Sequence, residues 1–232
     1  MALTPDTGET FLREVDENLR RDQLRTMARK YAPLWIAGVA LLLAAVGGWL
    51  YWQDKQKKDA AEDSEALAQV YTDIGSSRLA TVPQRLDALA KDGTDAVRAS
   101  ALFTRAAVAI EQGDRALAIA KYHQVANDKG LPAPYRDLGL VRATTLEFDG
   151  LKPDQVIARM EPIAKPGNPW FGSAGELTAM AMIKQGKKLE AGRLFAAVAA
   201  DRQVPESIRA RAVQIAGTLG VDASASLPAF AQ

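Results

Sequence analysis

The sequence predicts an all-α protein: one N-terminal transmembrane helix followed by a solenoid of helix pairs. Three observations lead to this prediction. Residues 33–52 form an uncharged apolar run, an apolar pattern recurs around three glycines, and alanine is abundant while aromatic residues make up only 6% of the chain. Alanine has the highest helix propensity, whereas β-branched and aromatic residues favour strands.

Composition limits the classes of function. Hydrophobic residues make up 48% and charged residues 25% of the 232 residues, which is typical of a globular protein. The net charge of +1 gives no reason to expect nucleic acid as a partner. The chain has no cysteine, which excludes disulfides, thiolate metal sites and a cysteine nucleophile.

The apolar run at 33–52 reads PLWIAGVALLLAAVGGWLYW and is long enough to cross a bilayer, since about 20 helical residues span its hydrocarbon core. Tryptophan and tyrosine lie near both ends, where interfacial rings are expected. A buried core helix would show a polar face, and a cleaved signal peptide would have a shorter leader and a small-residue cleavage site. A retained signal anchor therefore fits best. Its predicted membrane-contacting residues are Leu34, Trp35, Ile36, Leu41, Leu42, Leu43, Trp49, Leu50 and Trp52.

Basic residues on the two flanks predict the orientation. Five precede the run and three follow it: Arg20, Arg21, Arg25, Arg29 and Lys30, against Lys55, Lys57 and Lys58. Because basic flanks tend to stay in the cytoplasm, residues 1–32 are expected to be cytoplasmic. In the inner membrane of a bacterium, the chain after the span would then be periplasmic.

The leader, residues 1–32, carries its own pattern. Phe11, Val15 and Leu19 are spaced by four, which predicts an amphipathic helix that ends near Pro33. Such a helix could dock on the membrane surface or on a cytosolic partner. A solvated helix that leads into the span explains the pattern equally well.

The chain beyond the span contains a repeat. Gly113, Gly150 and Gly186 are 37 and 36 residues apart, and an alanine stands seven positions before each of them: Ala106, Ala143 and Ala179. Matching residues also follow the glycines, namely Ala118, Tyr122 and Val125 in the first unit and Ala191, Phe195 and Val198 in the third. The middle unit gives Val156, Met160 and Ile163 if its turn holds one extra residue.

This pattern resembles the tetratricopeptide repeat, with its small residues where two helices touch and a glycine at the turn. The repeat domain is expected over 53–222, followed by a flexible tail at 223–232. Within the domain we expect helices at 60–76 and 83–91, three glycine-centred pairs over 96–200, and a closing helix at 205–219. A plain helical bundle is the alternative.

No catalytic constellation is evident, and an enzyme is not expected. The one histidine, His123, falls among apolar positions of a helix, which predicts a packed or surface residue rather than a ligand or base. Glu147 and Asp149 lie near a helix end, where acidic residues are usually solvated. No metal, cofactor or small-molecule substrate is predicted.

Two segments are candidates for protein binding, because aromatic residues and arginine often anchor interfaces. The candidate residues are Tyr135, Arg136, Arg142, Trp170 and Phe171. Packing between repeats is the alternative role for them.

The whole layout resembles the YfgM-type family, the ancillary subunits of the Sec translocon. The resemblance rests on FLREVDENLRRDQL at 11–24, the span, YRDLGLVRATTLE at 135–147 and SIRARAVQIAGTL at 207–219. It implies a single-pass inner-membrane scaffold whose periplasmic repeats contact the translocon, periplasmic chaperones and export clients. A scaffold of another envelope complex, for outer-membrane protein assembly or cell division, and a membrane-bound enzyme are the alternatives.

Overall fold

The computed structural model describes the backbone of residues 7–226 and the side chains of 26, 27 and 29–226. In this described part, helices are joined by turns and loops and no strand occurs, which confirms the predicted all-α class. Two units are distinct, one up to residue 58 and one from residue 59. Helix α1 (Thr7–Gly75) contributes residues to both.

The first unit consists of the N-terminal part of α1. The helix continues through Pro33, so the prediction that a leader helix ends there is wrong. A proline inside a helix removes one N–H donor and crowds the carbonyl four residues before it, at a cost of about 3 kcal/mol. That local cost does not end a helix whose residues on both sides favour helix. The side chains of Phe11, Val15 and Leu19, on which the amphipathic pattern rests, lie outside the described ones.

Residues 33–52 of α1 form a candidate membrane span. Within the described residues, the stretch from Arg29 to Gly75 is the one helix long and apolar enough to cross a bilayer, with a mean hydropathy of 1.9 in its most apolar window. All nine predicted membrane-contacting residues are exposed, Trp35 and Leu41 by 75% and 73%. A continuous apolar surface of this kind is what a spanning helix presents to lipid.

The second unit begins with the end of α1 and, within the described residues, continues through eight further α-helices. They are α2 (Val82–Asp92), α3 (Asp95–Glu111), α4 (Arg115–Asn127), α5 (Ala133–Glu147), α6 (Pro153–Met160), α7 (Phe171–Lys184), α8 (Lys188–Ala200) and α9 (Glu206–Thr218). The predicted helices agree with these bounds within a few residues, except that the first begins in the leader rather than at residue 60. From α2 to α9 each helix contacts the next one along the chain, as the solenoid prediction requires.

The predicted glycine turns are confirmed at two of three positions. Gly113 and Gly186 each have φ of 78°, the left-handed conformation that glycine adopts without steric cost. Gly150 does not, because the chain makes a longer turn between Glu147 and Pro153.

Small residues allow the helices to approach closely, as predicted from the repeat. Ala106, Ala143 and Ala179 are completely buried. At Gly139 of α5, a Cβ atom would lie 2.9 Å from the backbone nitrogen of Ala126 and 2.9 Å from the carbonyl oxygen of Tyr122, both in α4. The α4–α5 contact therefore depends on the absence of a side chain at residue 139.

Polar contacts about one repeat apart connect successive repeats. Lys121 Nζ lies 2.7 Å from Asp87 Oδ1, and Lys184 Nζ lies 3.1 Å from Asp149 Oδ1. Such exposed pairs contribute at most about 1 kcal/mol each, so they align repeats whose stability comes mainly from the apolar core.

The core extends past α9 to Ala223. Ala223 is buried with residues of α8 and α9, and 224–226 form a short 3₁₀ helix. The last six residues of the predicted tail, 227–232, lie outside the described residues.

Candidate protein-binding cleft

A cleft of about 540 Å³ lies on one face of α5, α7 and α9. In each of these helices the lining side chains are three or four positions apart, so they share one helix face. The lining residues are Leu138, Val141, Arg142 and Thr145 of α5; Trp170, just before α7; Ser173, Glu176, Leu177 and Met180 of α7; Phe195 of α8; and Arg211 and Ile215 of α9.

The repeat architecture brings these three helices together. Helices α6 and α8 pack against α7, α8 also packs against α9, and α7 contacts both α5 and α9. The first helices of successive pairs, α5, α7 and α9, therefore lie side by side. The residues on their exposed faces together form one surface.

The lining of the cleft is mainly apolar. Phe195 is completely buried, and Met180 exposes 44% of its surface. Methionine is flexible and polarisable and adapts to differently shaped partners. An apolar cleft with a few polar groups is suited to accept side chains of a partner.

One ion pair joins two of the helices that line the cleft. Arg211 Nε and Nη2 donate to Glu176 Oε1 and Oε2, both at 2.7 Å, which is the bidentate geometry of a strong arginine–carboxylate pair. The side-chain hydrogen bond to Glu176 raises the pKa of Arg211 above its ordinary value. Glu176 is only 18% exposed, so the pair holds α9 against α7 at the edge of the cleft.

Arg142 is the other cation of the cleft. It is exposed, and it has no ion-pair or hydrogen-bond partner among the side chains that the structure describes. Because Glu176 is already paired with Arg211, the cleft keeps one unpaired positive charge.

Trp170 combines packing with a position at the cleft. Its indole Nε1 donates to the carbonyl oxygen of Pro134 at 2.7 Å, and its backbone nitrogen donates to Asn168 Oδ1 at 2.8 Å. Asn168 Nδ2 in turn donates to Asp137 Oδ2 at 3.1 Å. These bonds fix the α6–α7 loop to the start of α5 and orient the indole ring.

The other predicted binding residues lie away from the cleft lining. Tyr135 packs against a core formed mainly by α1, α2 and α3, with contributions from α4 and the loop after it. Arg136 is half-buried, and its Nε has no hydrogen-bond partner among the described atoms. Phe171 is 1% exposed, so its ring stabilises the core and does not face a partner. Of the five predicted residues, the structure brings Arg142 and Trp170 together.

Sequence reasoning missed Glu176, Met180 and Arg211 as cleft residues. One feature of the sequence could have predicted the ion pair: Glu176 and Arg211 carry opposite charges and are 35 residues apart, which is about one repeat. Residues one repeat apart occupy corresponding positions on neighbouring helices, where they can pair.

His123 takes part in a second polar group. Its Nε2 lies 2.9 Å from Glu147 Oε2, which also accepts from Arg159 Nη1 at 2.6 Å, so the three side chains connect α4, α5 and α6. Among the residues with described placement, no group of three or more histidine, cysteine, aspartate and glutamate side chains could hold a metal ion.

No curated protein and no solved structure matches the chain. A family model described as a tetratricopeptide repeat-like domain matches residues 26–217, which include both the candidate span and the helix pairs. Since the match covers well over half of the 232 residues, this chain belongs to the tetratricopeptide repeat-like domain family.

Proposed function

We propose that this protein is a membrane-tethered scaffold that binds other proteins, associates with the Sec translocon and periplasmic chaperones, and acts in protein export and folding. The observation that carries the proposal is the apolar cleft across α5, α7 and α9, on a chain that also contains a candidate membrane span. Tetratricopeptide repeat-like folds are typically non-catalytic interaction scaffolds, because stacked helix pairs present long concave surfaces.

The chemistry of the cleft favours a protein segment as its occupant. Trp170, Met180 and the leucines offer apolar contact area, while Arg142 offers a charge-assisted hydrogen bond. A partner that places an apolar and a polar side chain close together can use both, and such anchors contribute most of the energy of protein interfaces.

The proposed topology follows from the flanking charges. Residues 1–32 would lie in the cytoplasm, 33–52 would cross the bacterial inner membrane, and 53–222 would form the periplasmic repeat domain. A reporter fused to the C-terminus and active only in the periplasm should be active. Activity of a reporter that works only in the cytoplasm would contradict both the orientation and the role in export.

Site-specific crosslinking in vivo tests the function. Photoreactive residues at Trp35 in the span, and at Arg142 and Met180 in the cleft, should give adducts that mass spectrometry can identify. Arg193 of α8 is a matched control, since it is exposed but does not line the cleft.

We expect translocon subunits at Trp35, and chaperones or nascent clients at the two cleft positions but not at Arg193. The Sec assignment was also suggested by the resemblance to the YfgM-type family. Adducts only to cell-division or outer-membrane assembly proteins would overturn it and leave a scaffold of another envelope complex. Equal labelling of partners at Arg193 and in the cleft would contradict the cleft as the binding site.

A further inference from the structure

Some charged side chains of the cleft already have a partner of opposite charge, and one does not. Arg211 donates two hydrogen bonds to Glu176, and only 18% of the Glu176 side chain is exposed. The charge of this carboxylate is therefore already neutralised by Arg211 before a partner binds. Arg142 is exposed and has no partner among the described side chains.

The unpaired charge adjoins apolar surface. Leu138 lies one helical turn before Arg142 on α5, and Leu177 and Met180 line the same cleft from α7. A partner whose carboxylate binds Arg142 can place an apolar side chain on this surface two to four residues away along its own chain, because side chains two apart in a strand or three to four apart in a helix point the same way.

We propose that the cleft selects protein segments in which an aspartate or glutamate lies two to four residues from a large apolar side chain, with Arg142 pairing with the carboxylate. This inference rests on the proposed function, because it names the kind of segment that the scaffold binds. Its physical basis is charge complementarity: the cleft carries one uncompensated positive charge, and a basic segment would be repelled.

Glu176 neutralises Arg211 and so limits the positive charge of the cleft. If glutamine replaces Glu176, Arg211 loses its counter-charge and the cleft gains a second unpaired cation. Glu176→Gln should therefore strengthen the binding of an acidic segment, although it removes an ion pair from the protein. A role of Glu176 in fold stability alone predicts no gain in affinity.

The experiment uses the full-length chain in lipid nanodiscs and a phage library of random 12-residue peptides. Selected peptides are then measured by fluorescence anisotropy, each beside versions in which its acidic residue is replaced by glutamine or lysine. The protein variants are Arg142→Gln, Arg142→Glu, Glu176→Gln and Thr145→Trp. Thr145 is exposed and lines the cleft, so a tryptophan there should fill it. Arg193→Gln is the matched charge control.

We expect the selected peptides to carry the acidic–apolar spacing. Arg142→Gln should raise Kd about 2- to 5-fold, in the range expected for loss of one partly solvated charge pair. Arg193→Gln should leave Kd unchanged, Glu176→Gln should lower it, and Arg142→Glu should restore binding of the lysine version.

Two contrary results have different meanings. In the first, selected peptides bind Thr145→Trp more weakly than the unaltered protein and yet lack an acidic residue, or bind Arg142→Gln with unchanged Kd. That result would overturn this inference and leave the cleft as a protein-binding site. Peptides that bind Thr145→Trp as tightly as the unaltered protein would overturn both the inference and the cleft in the proposed function.

Discussion

Gly139 lies where α5 approaches α4 most closely, and its replacement by alanine sets two effects against each other. In a helix interior, alanine is favoured over glycine by about 1 kcal/mol. The added Cβ atom, however, would lie 2.9 Å from Tyr122 O and from Ala126 N, whereas ordinary contacts begin at 3.4 Å. These atoms belong to the backbone of α4, so they cannot rotate away as a side chain can.

The two helices would have to separate by about 0.5 Å, the difference between those distances, in a region where Ala143 and Val125 are completely buried. Overpacking of this kind costs about 1–3 kcal/mol, and contact with backbone places the cost toward the upper end. The loss exceeds the propensity gain, so Gly139→Ala should destabilise the protein by about 1–2 kcal/mol.

Chemical denaturation of the full-length chain in detergent, followed by circular dichroism, measures this difference. Gly217→Ala is the matched control: it lies in α9, and a Cβ atom there would meet nothing within 4 Å. The control should be neutral or stabilising by up to about 1 kcal/mol. Equal or greater stability of Gly139→Ala would refute the close α4–α5 contact.

Substitutions at three further positions test the fold in the same assay. Gly186→Ala should destabilise by about 1–2 kcal/mol because its φ of 78° places a Cβ atom in the left-handed region, and an unchanged midpoint would contradict that turn. Phe195→Ala should cost about 3–5 kcal/mol, since the completely buried ring supports both the core and the base of the cleft; a loss below about 1 kcal/mol would show that the ring is not enclosed. Asp114→Ala should cost about 1 kcal/mol because the Asp114 carboxylate accepts the backbone N–H of Leu117 at 2.9 Å and caps α4, whereas Asp114→Asn should retain most of the stability.

The candidate site was only partly predictable from the sequence. Arginine and tryptophan stood out as residue types that anchor interfaces, which identified Arg142 and Trp170. The same argument selected Phe171, which is buried, because residue type does not reveal which way a side chain faces at the first turn of a helix. Met180 and Ile215 were missed because apolar residues in an amphipathic helix look the same whether they face the core or a cleft.

The helical class, the candidate span and the repeat period were determined by the sequence itself. Each depends on local chemistry: helix propensity, an uncharged run of bilayer length, and glycine and alanine at fixed offsets. These features recur along the chain, so no knowledge of distant contacts is needed to find them.

Only the tertiary structure decided how α1 passes Pro33, how the Gly150 turn closes without a positive φ, and which charges pair. The last of these matters most for function. Glu176 could pair with either arginine of the cleft, and in the folded chain it is Arg211, 35 residues after it, that donates to Glu176, so Arg142 is left without a counter-charge among the described side chains. Pairing of this kind depends on the distance between helices in the folded chain, which the order of residues does not contain.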